Sequence, residues 1–394
     1  MSTAELISII ERADGGRISI GGSTQSIRVA DTPVFVKLVR LTDRELRAGP
    51  ECTANLFDLP TWYQYGVGPG STGFNAWREV AAHQICNDWV LDGACANFPM
   101  LYHWRVLPGL SSGPTAALSA DVDDAVRFWG SSPAVESRLR ALDGSSTVVA
   151  LFLEYVPYAL RDWLREQLTA GSVQAETAVT LVDQQLLRAV RHMRSSGMAH
   201  FDGHFDNVLT DGHRVYLSDF GLASAQRFPL DSSEQSFLRL TADHDLAYCA
   251  TALVNTITAA SLKFPDPTAR NDYIRRTADT GRATALDGVL ANTVVRYAPV
   301  AKVVNDFYWK LHDGNVTAEY PADLLATALQ GAGIRGRIDC RQLGLGTGHD
   351  DRRKTIRFRA RRAARLESGP EVRRSDVNEV ERLHVKAAPR IPAL

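Results

Sequence analysis

The sequence predicts an α+β chain in two lobes, a small antiparallel sheet followed by a larger helical part. Three observations predict it. β-Prone runs cluster between Arg17 and Val39, apolar residues recur at helical spacing from about residue 160 onward, and one apolar strand, Thr147–Val156, separates the two regimes. Strands first and mostly helices afterwards argue for a sheet lobe joined to a helical lobe.

In chain order, Arg17–Ala30 holds two short β-prone runs about the glycine pair Gly21-Gly22. Asp31-Thr32-Pro33 signals a turn, and Val34–Val39 is a β-branched strand carrying Lys37. A loop rich in glycine and aromatics follows from Gly49 to about Gly73. Phe74–Ile85 reads as a helix, with Phe74, Trp77, Val80, Ala81 and Ile85 on one stripe. Residues 108–146 read as an insertion, linker-like over Pro108–Pro114 and with a short helix near Ala134–Leu142. Thr147–Val156, stopped by Pro157, closes the first lobe at about residue 156.

Beyond that point the period changes. Val179, Val182, Leu186, Val190 and Met193 step by three or four along one long amphipathic helix, with Gly197 as its C-cap. Helical material continues from about Asp243 to Gly331, and the helical lobe is expected to span 157–347. Residues 348–394 are Arg-rich and read as a basic, disordered tail. There is no internal repeat.

The chain has 394 residues, 45% of them hydrophobic, enough to bury a full core. Its formal charge of −1 gives the whole molecule no electrostatic signature for nucleic acid or membrane. From Gly348 onward, however, 13 Lys and Arg face 7 Asp and Glu, which leaves residues 1–347 net acidic. The five cysteines, Cys52, Cys86, Cys95, Cys249 and Cys340, are scattered without a C-x-x-C pair, so neither a zinc site nor a disulfide framework is expected. Met1–Glu5 lacks the basic start and apolar core of a signal peptide, and no apolar run approaches the roughly 18–20 residues of a membrane span. A soluble, cytoplasmic protein with reduced thiols is expected.

The chemistry concentrates after the long helix. His200-Phe-Asp202-Gly-His204-Phe-Asp206-Asn207 is followed by the turn Asp211-Gly212 and by Val215-Tyr-Leu-Ser-Asp219-Phe220-Gly221. A carboxylate on a rigid loop suits the handling of a hydroxyl proton. An amide oxygen returned by the same loop and a second carboxylate at a neighbouring strand end are the hard donors that Mg²⁺ selects. These two motifs, at this spacing, resemble the catalytic loop H-x-D-x-x-x-x-N and the D-F-G of the protein-kinase-like superfamily, bacterial Ser/Thr protein kinases among them.

The resemblance covers about residues 15–260 and implies a bilobal protein-kinase-like fold that binds ATP with Mg²⁺. It implies that Asp202 positions the acceptor hydroxyl, that Asn207 and Asp219 hold Mg²⁺, and that Lys37, paired with Glu79, holds the ATP phosphates. By the same resemblance, backbone groups of Glu154 and Val156 receive adenine in Leu153–Pro157, and His200 braces the loop. Asp245, in His244-Asp245-Leu246, matches the aspartate that heads a helix and braces that loop, or is a solvated helix N-terminus. Gly21-Gly22 stands where a phosphate-covering loop belongs, but it is not G-x-G-x-x-G and reads equally as a plain hairpin turn.

Three features depart from the pattern. His204 stands where protein kinases usually carry lysine. The form H-x-D-x-H-x-x-N is similar to that of aminoglycoside and choline phosphotransferases, although these commonly replace the glycine retained here as Gly221. His204 either touches the γ-phosphate or packs. No A-P-E follows Gly221, so Leu222–Asp243, with Ser224, Ser232, Ser233, Ser236 and Thr241, offers no evident peptide-docking platform. The third departure is the degenerate phosphate loop.

The expected reaction is γ-phosphoryl transfer to a hydroxyl, foremost Ser or Thr of a protein or peptide. The alternatives are a small-molecule kinase and a pseudokinase scaffold. Arg352–Arg365 reads first as a plain solvated terminus, with acidic lipids, RNA or an acidic substrate region as the alternative. Nucleic acid, resting on this tail alone, is not an expected partner.

Overall fold

Residues 2–13, 18–19, 22–110 and 115–334 are described in this computed structural model; Gly21 and the basic tail, 348–394, lie outside them. The fold is mixed α+β: one five-stranded antiparallel sheet, a small three-stranded and a two-stranded sheet, and a body of helices.

Ser2 and Glu5 form a capping box at the start of α1 (Thr3–Arg12), which buries Leu6 and Ile10. Then come β1 (Ile18–Ser19), β2 (Gly22–Val29) and β3 (Thr32–Arg40), paired in turn. The β2–β3 turn is Ala30-Asp31, one residue earlier than the sequence suggested. Both residues take positive φ, 46° and 64°, the primed-turn geometry that matches strand twist, and Thr32 and Pro33 enter the strand.

α2 (Asp43–Ala48) precedes the Gly- and aromatic-rich loop, which contains a 3₁₀ turn at Thr61–Tyr65. α3 (Ala76–Leu91) starts two residues later than expected because the Asn75 side chain caps it by accepting from Trp77 N. β4 (Leu101–Pro108), α4 (Thr115–Phe128), α5 (Pro133–Asp143) and β5 (Thr147–Glu154) follow. Because Pro108 pairs with Thr147, residues 109–146 are an excursion between two adjacent strands, and α5 covers the short helix expected there. Sheet order is β1-β2-β3-β5-β4, with β5 fully buried from Val148 to Leu153.

The remaining elements are β6 (Tyr158–Ala159), α6 (Leu160–Ala170), α7 (Ser172–Ser195), β7 (Met198–Ala199), β8 (Val208–Thr210), β9 (Val215–Leu217), β10 (Ser224–Ala225), α8 (Ser232–Leu240), α9 (His244–Ser261), α10 (Pro267–Thr280), α11 (Gly288–His312) and α12 (Ala322–Gly331). The apolar stripe of α7 is core: Val179, Val182, Leu186, Val190 and Met193 are each at most 2% exposed. Each such side chain contributes about 1.5–3 kcal/mol by burial. α9 is buried on nearly every face, against α7 and α11.

Two short pairings set up the candidate site. β8 and β9 form the hairpin between its two motifs, and β7 pairs with β10 through Ala199 and Ser224. The segments 200–207 and 218–223 are therefore held side by side at both ends. The four described cysteines, Cys52, Cys86, Cys95 and Cys249, are free thiols, and among the described residues no helix is long and apolar enough to cross a membrane.

Candidate active site

Lys37 lies mid-strand in β3, opposite Thr24 of β2 and Leu151 of β5, so its backbone is fixed on both sides. Its Nζ is 2.6 Å from Glu79 Oε1 in the first turn of α3 and 2.6 Å from Asp219 Oδ1. One cation thus joins two carboxylates from distant parts of the chain. Burial works against the Lys37 ammonium, but Asp219 and Glu79 outweigh it and raise its pKa. Burial likewise opposes ionisation of Asp219, yet Lys37 and the Gly221 N–H hold the carboxyl well below the usual range. For Glu79 burial wins and, with repulsion from Asp219, lifts its pKa despite Lys37. Glu45, another glutamate that follows Lys37 in the chain, is occupied elsewhere. It is fully buried, 2.7 Å from Arg138 of α5, and accepts from Thr42 and Ala76 N–H groups.

The loop at Asp202 is braced from below. Asp245, in the first turn of α9, accepts from His200 N at 2.6 Å and from Phe201 N at 2.9 Å. These two bonds hold Phe201 in the left-handed region, φ 64°, a conformation that costs a non-glycine residue about 1–3 kcal/mol. His200 Nδ1 accepts from Asp202 N at 3.2 Å, so the ring carries its proton on Nε2, which meets Ser218 O at 3.0 Å. Asn207 Nδ2 donates to Asp202 Oδ2 at 2.8 Å and to Asp202 O at 3.0 Å. Its backbone carbonyl accepts from Ser218 N and Oγ, tying it to the residue before Asp219.

Asp219 also has a positive φ, 63°, and its Oδ1 accepts from Gly221 N at 3.3 Å. Phe220 is fully buried against His83, Phe98 and His200. Burial, reinforced by the Lys37 charge, pushes the His83 imidazole down to about 3, so it packs as a neutral ring.

The donors fit a hard cation. The amide nitrogen of Asn207 is spent on Asp202, leaving its oxygen for a metal, and Asp219 supplies a carboxylate. Among the described residues no three His, Cys, Asp or Glu gather as a metal cage. A cation held by Asn207 and Asp219 alone must complete its shell with phosphate oxygens and water, as Mg²⁺ commonly does.

His204 Nε2 lies 3.5 Å from Asp202 Oδ1 on one side, and its Nδ1 accepts from Asp206 N at 3.3 Å. Asp206 in turn receives Arg161 Nε of α6 at 2.8 Å. The other candidates lie on the strands beside β3 and on the segment that leaves β5. Glu154 ends β5, its N–H donating to Met100 O at 2.8 Å, and Val156 follows it as a half-buried residue outside any strand. Gly22 opens β2 with a positive φ of 155°, and a Cβ there would collide with the carbonyl oxygen of Leu38.

Two features escaped the sequence reading. The loop 49–73 packs over the D-F-G turn: Gln64 Nε2 donates to Leu222 O, and a Cβ on Gly73 would strike the carbonyl oxygen of Gly221. Tyr65 anchors this loop among Phe237, Phe307 and Tyr320. The second is a buried ion pair, Arg78 of α3 with Glu234 of α8 at 2.7 Å. The aromatic residues of the loop are visible in the sequence, but not where their rings pack. No protein-family model matches the chain and no curated protein matches it, so its chemistry is read from these residues alone.

Proposed function

We propose that the chain is a phosphotransferase of the protein-kinase-like superfamily, with the corresponding bilobal arrangement, that moves the γ-phosphate of ATP to a hydroxyl. The observation that carries this reading is the double ion pair of Lys37 with Glu79 and Asp219. A structural surface lysine needs neither a 5%-exposed carboxylate nor one at the end of a braced hairpin. A lysine that must hold phosphates at a fixed height over a metal-binding carboxylate needs both.

On this reading Asp202 accepts or orients the hydroxyl proton of the acceptor, and Asn207 keeps its carboxylate pointed by donating to Oδ2. Lys37, held by Glu79, neutralises the phosphates. Asn207 and Asp219 would hold Mg²⁺, which when bound would supply positive charge beside the transferred phosphate. Adenine is received by backbone groups at Glu154 and Val156. His204, beside Asp202, is within reach of the transferred group or the acceptor.

The acceptor is Ser or Thr of a protein or peptide, or a small hydroxyl compound. One observation favours the small acceptor: the loop 49–73 lies against this face, a Cβ on Gly66 falling 3.9 Å from Asp202 Oδ1. The test is transfer of labelled γ-phosphate from Mg-ATP into a size-fractionated lysate, with Asp202→Ala as control. Asp202-dependent label in a protease-sensitive macromolecular fraction marks a protein kinase, and label confined to small molecules marks the second reading. ATP binding without any Asp202-dependent transfer points to a pseudokinase.

A further inference from the structure

A shallow cleft opens on the far side of His204, between α6, α9 and α10. It is lined by Arg161 and Arg165 of α6, His204 and Phe205 of the loop, Asn255 of α9 and Arg270 of α10. The three guanidiniums come from two helices, and Arg161 is bonded to Asp206. Arg165 is exposed, while Arg270 is half-buried. Burial, together with repulsion from Arg161 and Arg165, depresses the Arg270 pKa, so the three positive groups feel one another across the cleft. His204 lines this cleft and also lies 3.5 Å from Asp202 Oδ1, so the cleft adjoins the place where the acceptor hydroxyl must stand.

We infer that this cleft binds an anionic group, carboxylate or phosphate, carried by the acceptor close to the hydroxyl that is phosphorylated. This rests on the phosphotransferase reading above and narrows it to acidic acceptors. Guanidinium forks hydrogen-bond carboxylate and phosphate in two-pronged fashion, and an anion among three of them relieves their mutual repulsion. The same positive field excludes cationic acceptors, which a pocket lined by carboxylates would select.

The test measures binding and transfer in the full chain with two matched pairs of probes. One pair is a serine peptide flanked by Asp and Glu, and its Asn and Gln counterpart. The other is glycerol 3-phosphate and glycerol. The expected result is a preference of about tenfold or more in dissociation constant for the anionic member of at least one pair. Preference within the peptide pair identifies a carboxylate source, and preference within the glycerol pair a phosphate source. Arg165→Gln, on an exposed position, and Arg270→Gln each reduce that preference severalfold. Equal binding within both pairs, or a preference that survives both substitutions, overturns the cleft. Affinity for an ATP analogue is measured alongside. If no nucleotide binds, the phosphotransferase reading falls and the acceptor assignment with it, whereas nucleotide binding without anion preference removes the cleft alone.

Discussion

Lys37 and Asp219, 182 residues apart, meet at 2.6 Å, and the Lys37 ammonium is shared with Glu79 at the same distance. The sharing sets a pH signature. Asp219 has a folded pKa below its ordinary 3.8, so its contribution to stability is present above that value and is lost as pH falls through the depressed one. Lys37 is raised above 10.5, so its contribution holds below that pH and disappears in alkali. Glu79 runs the other way: its raised pKa favours the fold in acid and weakens it above the ordinary 4.5.

The difference in Tm between wild type and Asp219→Asn is therefore expected to be largest near neutrality and to shrink once pH falls below about 4. Thermal melts across this range check it. A difference that stays constant from neutral to acid means that the Lys37 pair contributes nothing to stability.

Arg78 and Glu79 are neighbours with divided tasks. Glu79 holds Lys37, while Arg78, 1% exposed, holds Glu234 in the first turn of α8 and lies over the rings of Phe74 and Phe228. Removing one partner strands a buried charge, so Glu234→Ala is expected to cost about 3–5 kcal/mol. The double variant Arg78→Met, Glu234→Leu is expected to recover much of that loss. Urea unfolding measures both. If the single variant costs as little as an exposed pair, under about 1 kcal/mol, the pair is not closed in solution.

The motifs that carry the candidate site were legible because they are local. His200 to Gly221 is one contiguous stretch whose spacing fixes a loop, a hairpin and a turn. Lys37 and Glu79 were reached through the resemblance, which asks for a lysine on the strand Val34–Val39 and a glutamate on the helix that follows. What separates Glu79 from Glu45 is not in either segment: Arg138, on a helix much later in the chain, claims Glu45. Nothing in its own segment marks Arg78 as buried, since tertiary packing brings Glu234 and the Phe228 ring to it. The loop 49–73 lacks periodicity, so nothing in its order of residues says that Tyr65 reaches α11 or that Gly73 lies on Gly221. The arginine cleft is hidden for the same reason, its charges being spread over two helices that are far apart in sequence.

Asp245 offers a test of whether brace and chemistry are coupled. Its two oxygens accept the N–H groups of His200 and Phe201, the strained residue directly before Asp202. Asn in its place retains one acceptor and presents a donor to the other N–H, so the loop is expected to relax around Phe201. Misplacing a catalytic group by about 1 Å costs on the order of a hundredfold in rate. Asp245→Asn is therefore expected to lower kcat by tens-fold while leaving the affinity for an ATP analogue within about twofold, because Lys37 is held independently of α9. Parallel loss of nucleotide affinity and rate assigns Asp245 to overall folding instead.

Gly73 and Gly70 separate close approach from backbone preference within one loop. Both have positive φ, 68° and 88°, so alanine at either position carries the left-handed penalty of about 1 kcal/mol. At Gly70 the added methyl meets nothing within 4 Å, whereas at Gly73 it runs into the Gly221 carbonyl, which is backbone and cannot swing aside. Gly70→Ala is expected to lose about 1 kcal/mol by urea unfolding and to keep phosphoryl transfer near wild type. Gly73→Ala must either break the loop from the D-F-G turn or push Gly221 away, and with it the N–H that Asp219 accepts. It is expected to lose about 2–4 kcal/mol and most of the transfer rate. Equal losses for the two variants mean that the loop does not rest on Gly221 and that the face beside Asp202 is open to larger acceptors.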